Sequence, residues 1–227
     1  MLYRIAKYVA LCALGFLPLQ AEAVPDIDDF SIWDDEVTEQ LLADSLAADT
    51  LEADTVELIF GPSVVDAATL HAFVLASNPD FSIEIPMAYL RLGEIYGIRG
   101  DVAFCQAILE TGWFRFEGGT AVTPDQHNYC GLGVTRLGVK GHSFDTIDDG
   151  VRAQLQHLYA YATAASLPEG EPMVDPRFRL VKRGCASTWH DLANRWAMNP
   201  LYGRRILDLY KRVLELWHTR SEETVGD

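Results

Sequence analysis

The sequence has 227 residues, which is enough for one domain with a tail or for two small domains. Hydrophobic residues make up 49% of the chain and charged residues 22%, a balance that excludes a wholly disordered chain and a protein with many membrane spans. The formal net charge is −15, from 33 acidic and 18 basic side chains. Such a charge argues against nucleic-acid binding, because phosphate backbones select basic surfaces.

Residues 1–23 have the pattern of a secretory signal peptide. Arg4 and Lys7 precede an apolar run over residues 8–19, and Ala21-Glu22-Ala23 offers a cleavage site with two small residues. The run is shorter than the roughly 20 residues that a membrane-spanning helix needs. We therefore predict an exported chain, periplasmic or extracellular, whose mature form has no transmembrane anchor.

Residues 24–60 form an acidic segment with 12 Asp and Glu side chains and no Lys or Arg. Because a block of like charge repels itself and usually stays solvated, we interpret it as an N-terminal extension or linker. The remaining residues, 61–227, carry 20 acidic and 16 basic side chains. Most of the negative charge therefore lies outside the predicted folded domain, which we place at 61–218 with a C-terminal tail at 219–227.

Apolar residues recur at helical spacing in six segments after Gly61-Pro62. The segments are Val65–Asn78, Ile85–Ile98, Val102–Trp113, Ile147–Ala165, Thr188–Ala197 and Pro200–Trp217. Asp101 is a predicted N-cap of the third helix, and Gly112 is suited to end it. Glycines and a proline interrupt any period across 114–144, which predicts a functional Gly-rich loop or small β-lobe in a mainly helical domain.

Glu110 is the acidic residue with the most unusual predicted surroundings. It falls in the last turn of the third predicted helix, where the carbonyl ends disfavour negative charge. Trp113, Phe114 and Phe116 follow closely and would desolvate it. Both effects raise a carboxyl pKa, and an acid that stays protonated near neutral pH is what glycoside hydrolysis needs. A solvated side chain is the ordinary alternative for a single helical Glu.

Five sequence blocks occur in order between Tyr89 and Trp217. They are Gly97-Ile98 with Asp101-Val-Ala-Phe-Cys-Gln, Leu109-Glu-Thr-Gly-Trp-Phe, Asn128-Tyr-Cys-Gly-Leu-Gly, the helix that begins Gly150-Val-Arg-Ala-Gln, and Trp189-His-Asp-Leu-Ala-Asn-Arg-Trp-Ala-Met-Asn-Pro-Leu-Tyr-Gly. Together they resemble the glucosaminidase domain of glycoside hydrolase family 73, the peptidoglycan N-acetylglucosaminidases of the mannosyl-glycoprotein endo-beta-N-acetylglucosaminidase type.

The resemblance implies a fold and a set of site residues. The expected fold is lysozyme-like and α+β, mainly α, with the 114–144 lobe beside the cleft. Glu110 matches the catalytic acid, Asn128 and Tyr129 match the cleft floor, and Tyr202 matches its rim. Trp113 is a further candidate for stacking on sugar, whereas Trp196, like Tyr159 and Trp189, is interpreted as a packing residue.

A second catalytic carboxylate is not evident, because residues 134–142 contain no Asp or Glu. Asp125 is the first candidate, ahead of Glu117 and Asp145, although an exposed loop Asp is usually a turn or capping residue. Alternatively, the 2-acetamido oxygen of N-acetylglucosamine serves as internal nucleophile, as in substrate-assisted glycosidases. An inverting route would require a base that the sequence does not identify.

Cysteine and histidine residues suggest little further chemistry. Cys105 lies on an apolar helix face, and no His has a recognisable spacing that would orient Cys130 as a nucleophile. An oxidising compartment would permit a Cys130–Cys185 disulfide, but the sequence does not decide the pairing. The six histidines lack metal-ligand spacing, so we predict neither a metal site nor a cofactor.

These observations predict an enzyme that hydrolyses the β-1,4 bond after N-acetylglucosamine in peptidoglycan, with glycan strands as its binding partner and no protein partner indicated. A lytic transglycosylase on the same scaffold is one alternative, because it also works with one acidic residue. A non-catalytic wall-binding module is the other, and the missing second acid supports it.

Overall fold

The computed structural model describes residues 57–117, 121–135 and 139–225. The predicted signal peptide and residues 24–56 of the acidic segment lie outside the described residues. The elements are α1 (Ala67–Leu75), α2 (Glu84–Tyr96), α3 (Gly100–Thr111), α4 (Ile147–Ala162) and α5 (Tyr202–Val225), with 3₁₀ turns at Pro124–Gln126, Phe178–Leu180 and His190–Leu192. In the described residues, β-structure is limited to three isolated bridges. The predicted mainly helical fold is thus confirmed.

Five of the six predicted helices are present, and the prediction over Thr188–Ala197 is wrong. This segment contains only the 3₁₀ turn His190–Leu192, and Asn194 adopts a left-handed conformation with φ 57° that a continuing helix forbids. Asp191 Oδ2 accepts hydrogen bonds from the backbone N–H groups of Ser187 and Thr188. These bonds stabilise a turn, while the buried Trp and Leu side chains reproduce helical spacing without a helix.

Helix α3 lies at the centre of the domain, and it packs against both α2 and α5. All of its residues except Leu109 are buried. Gly100 allows α3 to begin directly against α2, because a Cβ atom there would lie 2.2 Å from the carbonyl oxygen of Tyr89. This close approach positions the start of α3 against α2, and Glu110 lies in the last turn of the same helix.

Asp101 does not cap α3 as predicted, because the helix begins one residue earlier and Asp101 lies in its first turn. Its fully buried carboxylate instead accepts hydrogen bonds from the backbone N–H groups of Val64 and Val65, at 2.8 and 3.3 Å. Tyr210 of α5 donates a third, at 2.7 Å. Asp101 therefore joins the chain before α1 to α5 across the base of α3.

Both ends of the described chain are folded beyond the predicted limits of the domain. Ile59, near the end of the acidic segment, is fully buried, and its N–H donates to Ser187 O at 3.0 Å. Arg99 N–H in turn donates to Ile59 O at 3.1 Å. Helix α5 continues to Val225, past the predicted end of the last helix at Trp217. No helix in the described part of the chain is both long and apolar enough to cross a membrane.

Candidate active site

Glu110 occupies the last turn of α3, and its side chain is only 9% exposed. Gly112 ends the helix in a left-handed conformation with φ 57°, as predicted. Burial raises the Glu110 pKa from its ordinary 4.5 to about 7, which outweighs the opposing effect of two hydrogen bonds. The carboxyl group is therefore about half protonated near pH 7 and largely protonated in mildly acidic solution.

The backbone that follows Glu110 adopts a conformation that bulky residues rarely take. Trp113, Phe114 and Phe116 have φ values of 63°, 56° and 54°. Asn78 Nδ2 donates to the carbonyl oxygens of Trp113 and Phe114, at 3.3 and 3.2 Å. Thr111 Oγ1 accepts from Phe114 N–H at 2.9 Å. These contacts hold a strained turn directly after the acid, and strain of this kind is frequent at functional sites.

One oxygen of the Glu110 carboxyl group accepts hydrogen bonds from two side chains, one in the loop before α5 and one at the start of α5. Tyr202 donates its hydroxyl hydrogen to Glu110 Oε1, and the indole Nε1–H of Trp196 donates to the same atom at 3.2 Å. Tyr202 and Trp196 are both 6% exposed. The structure therefore brings the predicted Tyr202 to the acid itself.

Trp196 has a second role besides the packing that its sequence position suggested. Its ring contacts the edge of His157, with centroids 5.0 Å apart. His157 Nδ1 lies 2.7 Å from Asp175 Oδ2, and both side chains are buried. Sequence reasoning missed the Trp196 contact with Glu110, because the two residues are 86 positions apart and no local pattern joins them. Their occurrence in two of the five ordered blocks was the available signal.

Behind Tyr202, hydrogen bonds continue into the core through two glutamines. Gln106 Nε2 donates to the Tyr202 hydroxyl at 2.9 Å, and Gln154 Nε2 donates to Gln106 Oε1 at 2.8 Å. Tyr89 donates its hydroxyl to Gln154 Oε1 at 2.5 Å. All four side chains are buried. Sequence reasoning assigned no role to either glutamine.

The other predicted substrate contacts lie in different surroundings. Asn128 is fully buried and organises the loop: its Nδ2 donates to Leu132 O and His142 O, and its Oδ1 accepts from the N–H groups of Leu132 and Cys130. All four hydrogen-bonding positions of the amide are thus used inside the protein. Asn128 therefore shapes the loop beside the site.

The two other predicted aromatic contacts, Trp113 and Tyr129, pack against different rings. Trp113 is partly exposed and contacts Phe73 of α1, with ring centroids 5.4 Å apart. Tyr129 is 2% exposed, and its ring lies 5.9 Å from Phe114 and 6.4 Å from Tyr89. The structure places Trp113 where part of its ring meets solvent and Tyr129 within the aromatic core.

Asp125 differs from Glu110 in every property that concerns catalysis. It is exposed in the 3₁₀ turn Pro124–Gln126, within the predicted loop. A hydrogen bond from the Thr123 side chain, with a smaller contribution from Lys140, lowers the Asp125 pKa. The carboxylate is therefore charged and solvated, as expected of an ordinary turn residue.

The cysteines contribute no evident chemistry. In the described part of the chain Cys105, Cys130 and Cys185 are free thiols, so the considered Cys130–Cys185 disulfide is not formed. Burial raises the Cys130 pKa well above its ordinary value, and the negative charges of Glu110 and Asp175 act in the same direction. A thiol that is held protonated in this way is a poor nucleophile.

Comparison with known proteins identifies the family. Residues 87–215 match the glucosaminidase family model, described as mannosyl-glycoprotein endo-beta-N-acetylglucosaminidase. The chain belongs to the glucosaminidase family. Glu110, Trp196 and Tyr202 all lie inside the matched region, and the resemblance predicted from five sequence blocks is confirmed.

Two further proteins are similar to this chain. An uncharacterized protein of Borreliella burgdorferi is 37% identical over 147 residues, which are 63% of this chain and 70% of that protein. The crystal structure of the catalytic domain of the autolysin Auto from Listeria monocytogenes aligns with 79% of this chain and 96% of its own, at 17% identity and a TM-score of 0.39. The family assignment rests on the match of residues 87–215 to the glucosaminidase family model.

Proposed function

We propose that this glucosaminidase-family protein is an exported peptidoglycan hydrolase that cleaves the β-1,4 bond after N-acetylglucosamine, with Glu110 as general acid. The observation that carries the proposal is a buried carboxyl group with a pKa of about 7 at the end of α3. Family membership supports the glycosidase chemistry, and the signal-peptide pattern of residues 1–23 supports export to the wall.

The first step follows from the protonation state of Glu110. Its carboxyl proton passes to the glycosidic oxygen while the bond from that oxygen to C1 breaks, so the leaving sugar departs as a neutral alcohol. Glu110 becomes a carboxylate in this step. Hydrogen bonds from Tyr202 and Trp196 favour the charged form and therefore stabilise it as the proton leaves.

For the second catalytic group we favour the substrate. The 2-acetamido oxygen attacks C1 as the leaving group departs, and water then opens the resulting oxazolinium ion with Glu110 as base. The exposed, solvated position of Asp125 supports this choice over a protein nucleophile. Asp125 remains the alternative second carboxylate.

The assignment of Glu110 is tested by digesting purified peptidoglycan with Glu110→Gln and a matched control, Glu94→Gln, which alters an exposed Glu on α2. We expect Glu110→Gln to lose about 10²- to 10⁴-fold in kcat and the control to stay within about twofold. Reducing N-acetylglucosamine ends in mass spectra support the proposed bond. Anhydro-muramic ends would instead establish a lytic transglycosylase, and wall binding without released fragments would establish a binding module.

The choice of nucleophile has a separate test. With Asp125→Asn we expect kcat within about twofold of the unaltered chain, because the substrate provides the nucleophile; a catalytic carboxylate at this position would give a loss of about 10²-fold or more. A stable thiazoline analogue of the oxazolinium ion should inhibit competitively. A large loss in Asp125→Asn together with no inhibition by the thiazoline would reject the substrate-assisted route.

A further inference from the structure

A line of four buried hydrogen bonds runs through the core and ends on the acid. It begins at the Tyr89 hydroxyl in α2, passes through Gln154 of α4 and Gln106 of α3, and reaches Glu110 Oε1 through Tyr202 at the start of α5. Four separate helices therefore contribute to the position of one oxygen atom. Hydrogen bonds in such a chain polarise one another in a low-dielectric interior.

One backbone carbonyl group determines which atom donates in each of these four hydrogen bonds. The carbonyl oxygen of Ala103 can only accept, so the Gln154 atom 3.1 Å away is the amide nitrogen Nε2. The same nitrogen faces Gln106, whose nearest atom must then be the acceptor Oε1. Gln106 therefore presents its own nitrogen to the Tyr202 hydroxyl. The backbone thus removes the usual ambiguity of amide orientation.

This orientation determines what Tyr202 does at Glu110. A phenol has one hydrogen, and because Tyr202 accepts from Gln106 it has that hydrogen available for Glu110 Oε1. Trp196 Nε1–H, which can only donate, contacts the same oxygen. Oε1 therefore meets two donors and is disfavoured as the site of the acid proton.

We propose that Gln154 and Gln106 are positioning residues, which act through Tyr202 to keep Glu110 Oε1 an acceptor and so confine the catalytic proton to Oε2. This inference rests on the proposed function, since it assumes that Glu110 is the acid. Proton delivery then starts from one defined atom.

Other ionisable groups near Glu110 do not replace this effect. Tyr202 faces it from α5, and the Cys130 thiol, which burial keeps protonated, faces it from the loop. The pair of His157 and Asp175 lies on the far side of Trp196 and is bonded within itself. A substitution of Gln106 or Gln154 therefore affects Glu110 mainly through Tyr202.

The experiment compares Gln106→Met and Gln154→Met with a control, Gln156→Met. Gln156 is also fully buried on α4, but it bonds to Tyr96 and to the backbone of residues 172–175 instead of this chain. Two quantities are measured: kcat and KM against pH, and the titration of the Trp196 indole Nε1–H resonance without substrate, assigned with Trp196→Phe. The indole reports the ionisation of Glu110 because the two groups share a hydrogen bond.

We expect Gln106→Met and Gln154→Met each to lower kcat about tenfold and to leave KM within about twofold of the unaltered protein. The reason is that the Glu110 proton is then shared between its two carboxyl oxygens. The indole midpoint should rise by about half a pH unit, since Tyr202 becomes free to accept from neutral Glu110. In the control Gln156→Met we expect a lower melting temperature, while the midpoint of the indole titration and kcat stay unchanged. If Gln154→Met fails to fold, Gln106→Met alone tests the proposal, because Gln106 contacts Tyr202 directly.

A double variant tests whether Gln106 acts through Tyr202. Gln106→Met combined with Tyr202→Phe should equal Tyr202→Phe alone, whereas additive losses would overturn the proposal. The proposal would also be overturned if the midpoint of the indole titration were unchanged in both Gln106→Met and Gln154→Met. An equal shift of that midpoint in the control Gln156→Met would overturn it as well. Failure of the proposed function is distinguishable, because that is read from Glu110→Gln activity, whereas the indole titration requires no substrate.

Discussion

The helical side and the loop side of the site present two kinds of acidic residue. Glu110 lies at the end of a buried helix, in contact with Tyr202 and Trp196, and its pKa is raised to about 7. Asp125 lies in an exposed turn, and its pKa is lowered. The contrast shows that the raised pKa of Glu110 comes from burial, and that acidic identity alone does not supply it.

The loop side is nevertheless ordered, by a different means. Asn128 uses its whole amide to hold residues 130–132 and 142 together. Helix α3 is instead held by packing of its apolar residues against α2 and α5. The loop is thus organised by polar side chains, since Gln126 also donates to Gly141 O and His142 O, and the helix end by many apolar ones.

The largest expected effect on folding stability is therefore in the loop. Asn128→Ala removes four hydrogen bonds and takes away the acceptor of the Leu132 and Cys130 N–H groups, which should lower the free energy of unfolding by about 4 kcal/mol. Asp125→Ala, in the same loop but exposed, should change it by less than about 1 kcal/mol. Urea denaturation measures both. A loss below about 1 kcal/mol in Asn128→Ala would show that the loop does not depend on Asn128.

The second expected effect is pH-dependent and belongs to the helical side. Because the Glu110 pKa is about 7 in the folded chain against an ordinary 4.5, the folded state binds the proton more tightly, and this contribution to stability is lost as pH rises from 4.5 through 7. Glu110→Gln, which stays neutral, should be more stable than the unaltered chain at pH 8 by up to about 3 kcal/mol and nearly equal at pH 4. Glu117→Gln should show no such dependence in thermal melts; a similar gain there would contradict the explanation.

The smallest expected effect concerns the two donors at Glu110 Oε1. Both hydrogen bonds lower the Glu110 pKa, so Tyr202→Phe and Trp196→Phe should each raise it, moving the alkaline limit of kcat/KM upward by about one pH unit or less. A downward movement in either variant would mean that these bonds favour the neutral acid.

The sequence was informative where local patterns decide the structure. Glu110, Gly112 and the buried face of α3 all follow from helical spacing and from a glycine at the helix end. The error at Thr188–Ala197 arose because Asp191 and Asn194 stabilise a turn whose apolar residues keep helical spacing. Spacing alone does not distinguish these two arrangements.

Contacts between distant residues lay beyond sequence reasoning. Trp196 and Gln154 reach the site only because α3, α4 and the loop before α5 pack together. Asp101 presents the same difficulty, since its partners at Val64 and Tyr210 are separated from it by 37 and 109 positions. From sequence, a polar side chain at a helix start is interpreted as an N-cap. The Asp101 side chain is instead fully buried and joins distant segments by hydrogen bonds.

The most direct test of the account measures the pH dependence of kcat/KM and the Trp196 indole titration in the same buffer. If Glu110 is the general acid, the alkaline limit of activity and the indole midpoint should coincide near pH 7, and the indole should not titrate in Glu110→Gln. An indole midpoint near the ordinary 4.5, or an alkaline limit that lies far from the indole midpoint, would contradict the central claim.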